Sequence, residues 1–328
     1  MGNSAVKWGL VSTQKATPND ILNFCAFHLD QGAHRLYIYL DSGNPDAFKA
    51  LKLHPKIRVT QCDDTYWAKT TRTRPVKHQQ RQSANAMHAY KKRREVDWLA
   101  HIDVDEFIWP LENASISDQL AKLPETCLTA RLRPIEALAP DDTDGADGTP
   151  TDITYFKACA ADRPTRIRQT AEIYPTYASY LNGGFLSHVQ GKTFFRTDIE
   201  GLQIRIHNVF LDGETNPQNH LLEGLELCHL HAKTWQDWLR TYRFRLDKGS
   251  YRSELKPAMS AEKGGLTLHQ LFAHLEMENG EDGLRHFFNE VCNATPELRQ
   301  NLANQGNLRA LSLDLRRKRA LHFPDSMG

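Results

Sequence analysis

Paired cysteines, long apolar runs and a surplus of one charge are all missing from this sequence, and each absence closes off a class of protein. The six cysteines (Cys25, Cys62, Cys127, Cys159, Cys228 and Cys292) are scattered, with no Cys-x-x-Cys pair. That excludes a dense disulfide framework and reads as reduced, mostly buried thiols of a cytosolic chain. No stretch reaches the length a membrane span needs, and no apolar run of signal-peptide length follows Lys7. A cytoplasmic location is therefore expected. The formal net charge is only +1, so nucleic acid is not an expected partner and any anionic ligand has to be bound locally. Two loop motifs are also missing. The segment Gly183-Gly-Phe-Leu-Ser-His-Val-Gln-Gly-Lys192 has the wrong spacing for a Walker A loop and reads as a flexible acceptor-site loop or a simple turn. The acidic loop from Asp141 to Gly148 fails the EF-hand pattern, because Ala146 and Ile153 fall where ligands belong. No internal repeat is found.

What is present is an ordinary globular composition: 328 residues, 40% apolar and 25% charged, enough to bury a large core without disulfides. The first hundred residues alternate strand and helix patterns. Val6 to Ser12 reads as a strand, and Thr17 or Asn19 can cap a helix carrying Ile21, Leu22, Cys25 and Leu29 on one face. Arg35 to Leu40 is a second strand, Pro45 to Leu53 a short helix, Ile57 to Thr60 a third strand, Pro75 to Arg94 a long helix and Trp98 to Asp103 a fourth strand. This is one half of a doubly wound α/β sheet. In its usual order strands one and four lie side by side, and ligands bind outside their carboxyl ends. Ser12 and Thr13, Asp41 and Asp103 then share one crevice. Beyond Asp103 strands are expected near Leu128–Leu132, Lys192–Arg196, Gln203–Asn208 and Leu225–His231, the last three extending the sheet. A helix with Trp235, Trp238, Leu239, Tyr242 and Leu246 on one face follows. The rest reads as helical and polar, with Leu268, Leu271, Phe272 and Leu275 its clearest apolar turn. The expected division is an α/β domain over residues 1–248 and a C-terminal helical extension over 249–328 that packs on it without a core of its own.

The sharpest chemical signal is Asp103-Val104-Asp105-Glu106. If the chain is extended there, the two aspartates turn to one side and Val104 to the other, which suits Mg²⁺ or Mn²⁺ shared with a diphosphate. The bland alternative is a solvated acidic strand end. His229 and His231 share a face of an extended segment, so that one or both can face the metal, and His207 is a third candidate. Half-buried, hydrogen-bonded histidines are the alternative. One nitrogen beside two carboxylates favours tolerance of Mn²⁺. The helix before Asp103 opens with Arg72, Arg74, Lys77, His78 and Arg81, whose charge and helix dipole favour a phosphate, unless they form a merely solvated basic face.

Together the string Trp98-Leu-Ala-His-Ile-Asp-Val-Asp-Glu-Phe-Ile108, the segment from Gln79 to Asn85, and His229-Leu-His-Ala-Lys-Thr-Trp235 resemble the bacterial family-2-like glycosyltransferases and, more distantly, family 92. The resemblance runs from about Val11 to Leu246. It implies the GT-A fold, a mixed Rossmann-like sheet flanked by helices. It also implies a nucleotide-sugar donor, with a UDP-sugar the expected one, and a divalent cation on the Asp-x-Asp motif. By the same resemblance Ser12, Thr13 and Asp41 contact the nucleoside, Asp105 ligates the metal with Asp103 supporting metal or ribose, and His231 or His207 completes the shell. Lys77 and Arg81 are the expected phosphate contacts. The Glu-Asp pair of family 2 is missing, so the general base is sought among Asp212, Glu214, Glu223 and Glu226, with Glu226 preferred and Asp212 next.

The expected reaction is sugar transfer, inverting if the base acts in line, to a glycan or a lipid-linked acceptor. A metal-dependent hydrolase using Asp103, Asp105, His229 and His231, and a non-catalytic carbohydrate-binding relative, are the competing readings. The basic run Arg316-Arg-Lys-Arg319 beside Leu308, Leu311 and Leu315 suggests peripheral contact with an anionic membrane, or charges that simply complement a helix end.

Overall fold

The computed structural model describes residues 5–92, 95–112, 114–141, 152–187, 189–231, 234–248 and 266–324. All but the first residue of the acidic loop Asp141–Gly148 lies outside the described residues, as does the stretch 249–265. The chain forms two compact units, one of Met1–Pro134, Gln190–Cys228 and Asp314–Gly328, the other of Ile135–Val189 and His229–Leu313. In the second unit the apolar residues of the later helices share a core with residues between 138 and 186.

The first unit begins as the alternation predicts, with β1 (Trp8–Gln14), α1 (Pro18–Asp30), β2 (Arg35–Leu40), α2 (Pro45–Leu53) and β3 (Ile57–Gln61). Thr17 caps α1 by accepting from the Asp20 amide at 3.2 Å, and Pro18 sits in the first turn, where its missing N–H costs nothing. An unexpected helix α3 (Asp64–Thr70) follows, capped by Asp63 on the Tyr66 amide at 2.8 Å. The long helix α4 (His78–Lys92) starts three residues later than the sequence suggests, and β4 (Trp98–His101) stops at His101, leaving Asp103 just beyond its carboxyl end. Then come β5 (Glu106–Pro110), α5 (Ile116–Ala121) and β6 (Thr129–Ala137).

The remaining elements are β7 (Ile153–Lys157), α6 (Arg163–Ile173), β8 (Lys192–Arg196), β9 (Gln203–Ile204), β10 (Val209–Leu211), β11 (Glu214–Thr215), β12 (Asn219–His229) and α7 (Trp235–Lys248). They end with α8 (Leu268–Val291), α9 (Pro296–Asn304), β13 (Leu308–Ser312) and α10 (Leu315–His322).

In the first unit the sheet runs β6-β8-β4-β1-β2-β3. β1 pairs in parallel with both β2 and β4, and β8 is antiparallel to β4 and to the first half of β6. β1 is buried along its whole length because it is central. This mixed sheet flanked by helices is the GT-A-type, Rossmann-like arrangement. One expected strand is corrected: of Gln203–Asn208 only Gln203 and Ile204 are strand (β9), and β9 joins β10 and β11 in a separate three-stranded sheet. The Arg205 amide bonds the Asn208 carbonyl at 2.9 Å, closing a turn where an extended chain was expected. α10 packs against α1, and one member of its basic run is committed inward. The Lys318 ammonium lies 4.5 Å from the Phe27 ring centroid and 3.6 Å from an Asp30 carboxylate oxygen.

The second unit has its own core. Trp235, Trp238 and Tyr242 line one face of α7, as their spacing predicts, with Trp238 edge-on to Phe272 at 5.3 Å between ring centroids. Its sheet pairs Glu136 and Ala137 of β6 with β7, and β7 with β13, both antiparallel. β13 corrects the expectation that the C-terminal region is wholly helical. Among the described residues no helix is long and apolar enough to cross a membrane.

Candidate active site

Two carboxylates mark the carboxyl ends of the parallel strands in the first unit. Asp41 follows β2, and its amide bonds the carbonyl of Gln14, the last residue of β1, at 2.9 Å. Its carboxylate is fully buried, with Arg81 Nε at 2.9 Å, Arg74 Nη2 at 3.0 Å and the His78 ring Nδ1 at 3.5 Å. Burial alone would raise its pKa, but His78, Arg81 and Arg74 outweigh burial and hold it below the usual carboxylate range. Arg74 also donates to the Asp41 carbonyl at 2.7 Å, and Arg81 to the carbonyls of Pro75 and Val76 at 2.9 and 2.8 Å. Arg81 thus ties the 75–76 segment to Asp41, while Lys77 beside it is exposed. Thr13 accepts from Asn85 Nδ2 at 2.9 Å, and Asn85 accepts from the Tyr66 hydroxyl at 2.7 Å. The buried Ser12 hydroxyl and the side-chain amide of Gln14 have no hydrogen-bond partner among the described residues.

Asp103 stands where β4 ends. The Glu106 amide bonds the Asp103 carbonyl at 3.1 Å, so Val104 and Asp105 are the central residues of a tight turn and not part of an extended strand. This corrects the expected alternation of the two aspartates. The Asp103 carboxylate accepts from Gln82 Nε2 at 2.5 Å on one oxygen and from Lys192 Nζ at 2.7 Å on the other. Glu106 closes the turn by accepting from the Asp103 amide at 2.8 Å, and it lies 3.5 Å from the same Lys192 ammonium. The Lys192 side chain is 1% exposed and that of Asp103 32%, so the lysine backs the aspartate from inside. Burial would lower the lysine's pKa, yet Asp103, Glu106 and Asp105 hold it above its ordinary range. Next to Asp103, His101 is buried and its pKa is pushed down to about 4 by burial, with Lys192 adding to the effect.

The other expected site residues are spread over both units. His207 lies in the turn between β9 and β10, its Nδ1 3.2 Å from the carbonyl of Gly191, the residue before Lys192. Asp212 occupies an exposed hairpin turn at φ 50, with Glu214 just after it, and Glu223 is exposed on β12. Glu226 is largely buried on β12 and helps to raise the pKa of the buried Cys228 thiol, after burial itself. His229 and His231 belong to the second unit, their ring centroids 5.2 Å apart. There both help to hold the carboxyl of Glu136 down at about 2, against its burial and after the larger effect of Lys157.

Carboxylate oxygens are the right donors for Mg²⁺ or Mn²⁺. The arrangement does not fit such an ion: a buried ammonium already lies against the Asp103 carboxylate, where it would repel the ion. Among the described residues no three His, Cys, Asp or Glu side chains form a group that could hold a metal. Sequence reasoning missed Gln82, Lys192 and the Glu136–Lys157 pair. The available signal was a lysine at the end of a strand beside bulky aromatic residues, as in Lys192-Thr-Phe-Phe195 and Tyr155-Phe-Lys157, which demands a partner if it is buried.

The first unit is thus a Rossmann-like α/β sheet with Asp41 and Asp103 at the carboxyl ends of neighbouring parallel strands. Residues 12–126 match the model of glycosyltransferase family 92, a span that lies within the first unit and contains Asp41 and the Asp103–Glu106 turn. Among solved structures the chain is similar to the apo structure of WbbM, described as a bifunctional glycosyltransferase, at 11% identity and a TM-score of 0.31. That likeness covers 60% of this chain and 32% of WbbM. It is also similar to HddC from Yersinia pseudotuberculosis, at 9% identity and a TM-score of 0.34, covering 72% of this chain and 97% of HddC. No curated protein sequence matches the chain.

Proposed function

We propose that this protein transfers a sugar from a nucleotide-diphosphate donor, a UDP-sugar being the expected one, to a glycan or lipid-linked acceptor. The observation that carries the reading is the convergence of Thr13, Asp41 and Asp103 at adjacent strand ends, inside the span that matches family 92. Ligands of open α/β sheets bind at such a place. The partly exposed Asp103 carboxylate, oriented by Gln82 and Lys192, is suited to accept a ribose hydroxyl. The exposed Lys77, just before the positive end of α4, is suited to meet a phosphate. Asp41 fixes the nucleoside side of the crevice through Arg74 and Arg81. For the acceptor hydroxyl, Glu226 is the proposed general base, because it is shielded on β12 where Asp212 is open to water. In-line attack with that base inverts the anomeric centre.

The test is incubation with a panel of nucleotide sugars and candidate acceptors, with release of nucleoside diphosphate and the glycosylated product both followed. Release that requires an acceptor supports transfer. Release into water alone, unchanged by every acceptor, contradicts it.

A further inference from the structure

Lys192 opens the apolar strand Lys192-Thr-Phe-Phe-Arg196, and its side chain has almost no contact with water. A buried ammonium is tolerated only where carboxylates and hydrogen-bond acceptors replace its hydration. Here Asp103 lies at 2.7 Å and Glu106 at 3.5 Å. Asp105, from the centre of the same turn, adds a third negative charge that the lysine feels. Three carboxylates on four consecutive residues would repel one another and draw in a cation from solution. In this fold the chain provides one.

The geometry points to Lys192 as the resident cation of the Asp103–Glu106 turn, a positioning residue that occupies the place at which a divalent ion would otherwise be drawn in. A metal ion reaching for the same carboxylates would come within a few ångströms of a fixed ammonium and be repelled. A covalently supplied cation costs no ion capture and no reorganisation, because strand β8 holds it in register with β4 and β6. It acts through Asp103, keeping that carboxylate oriented and its charge offset when an anionic ligand approaches. For the diphosphate donor the inference deepens the transferase reading, but the competition between Lys192 and a metal ion can be measured with no donor present.

The experiment titrates Mn²⁺ alone into the full-length protein and follows the loss of the free-ion electron paramagnetic resonance signal. The wild type is compared with Lys192→Met and Lys192→Gln, each alone and combined with Asp105→Asn. Removing the ammonium should tighten Mn²⁺ binding by about tenfold or more, since a like charge at contact distance is lost. Asp105→Asn in the same background should cancel the gain. A lysine that serves packing alone would change the melting temperature and leave Mn²⁺ binding where it was, which overturns the inference. If neither lysine variant folds, the wild type decides. Mn²⁺ binding at roughly 10 µM or tighter, lost on Asp105→Asn, overturns the inference, whereas binding that is much weaker, or untouched by Asp105→Asn, supports it. Failure of the transferase reading would show separately, as no nucleotide-sugar turnover, and would leave these titrations unchanged.

Discussion

Buried charges carried by strands are the residues on which the local structure turns. In the second unit Lys157 Nζ donates to the carbonyls of Gly184 and Val291, both at 2.7 Å, and lies 3.2 Å from the Glu136 carboxylate. Glu136 in turn accepts from the amides of Leu186 and Ser187 at 3.1 and 2.8 Å. The pair therefore pins the 184–187 segment by its backbone. Removing one partner leaves the other charge buried and alone, so Glu136→Gln or Lys157→Met should cost about 3–5 kcal/mol in denaturant unfolding. Glu136→Leu combined with Lys157→Met should cost less than the two single losses added together, because neither charge is then left alone. The pH dependence has a definite sign. Glu136 has a folded pKa of about 2, below its ordinary 4.5, so its contribution is complete above the unfolded value and fades as pH falls towards 2. The stability gap between wild type and Glu136→Gln should thus be widest at neutral pH and narrow on acidification. A gap that widens in acid would contradict the pairing.

At the level of elements, the β-α-β-α-β half and the faces of α1 and α7 were legible because burial on one side imposes a period that local sequence records. Asp41 and Asp103 could be placed at strand ends for the same reason, whereas β1 runs on through Ser12 and Thr13 to Gln14. What was not legible depended on distant partners or short turns. β13 is a strand because β7, some 150 residues earlier, offers it an edge, and nothing in Leu308–Ser312 records that. The hairpin of β10 and β11 was legible in Asp212-Gly213, at φ 50 and 86, which signals short strands on either side, but nothing comparable marks the turn that ends β9. The spacing that excludes a Walker A loop hides the role of Lys192, whose strand is where the turn at Asp103 finds its counter-charge. Its placement depends on Gly191, at φ 67, where an added Cβ would lie 2.0 Å from the Leu132 carbonyl oxygen. Gly191→Ala should cost well over about 1 kcal/mol and loosen the Lys192–Asp103 pair. Thermal unfolding of that variant, compared with Gly213→Ala, where the added Cβ meets no atom within 4 Å, separates the clash from the strain of positive φ. Equal losses would contradict a close approach.

For the whole molecule, the compact units cut across chain order, and the second draws its core from segments on both sides of residue 248. A chain ending at residue 248 should therefore leave Trp235, Trp238 and Tyr242 without Phe272, Phe287 and Phe288. It should show a broadened, non-cooperative transition by near-ultraviolet circular dichroism, and a sharp wild-type-like melt would contradict this division. The first unit carries the strand-end residues, the family match and Asp103, so the functional account stands or falls there. Its most direct test is calorimetric titration of nucleoside diphosphates into wild type and Asp103→Asn, with the melting temperature of each recorded. The account predicts saturable binding of a nucleoside diphosphate to the wild type. It predicts weaker binding to the variant by about tenfold or more, the loss expected for a hydrogen bond to a charged group worth about 1.5–3 kcal/mol. A folded wild-type protein that binds no nucleoside diphosphate, or an Asp103→Asn variant that binds it equally well, would contradict it.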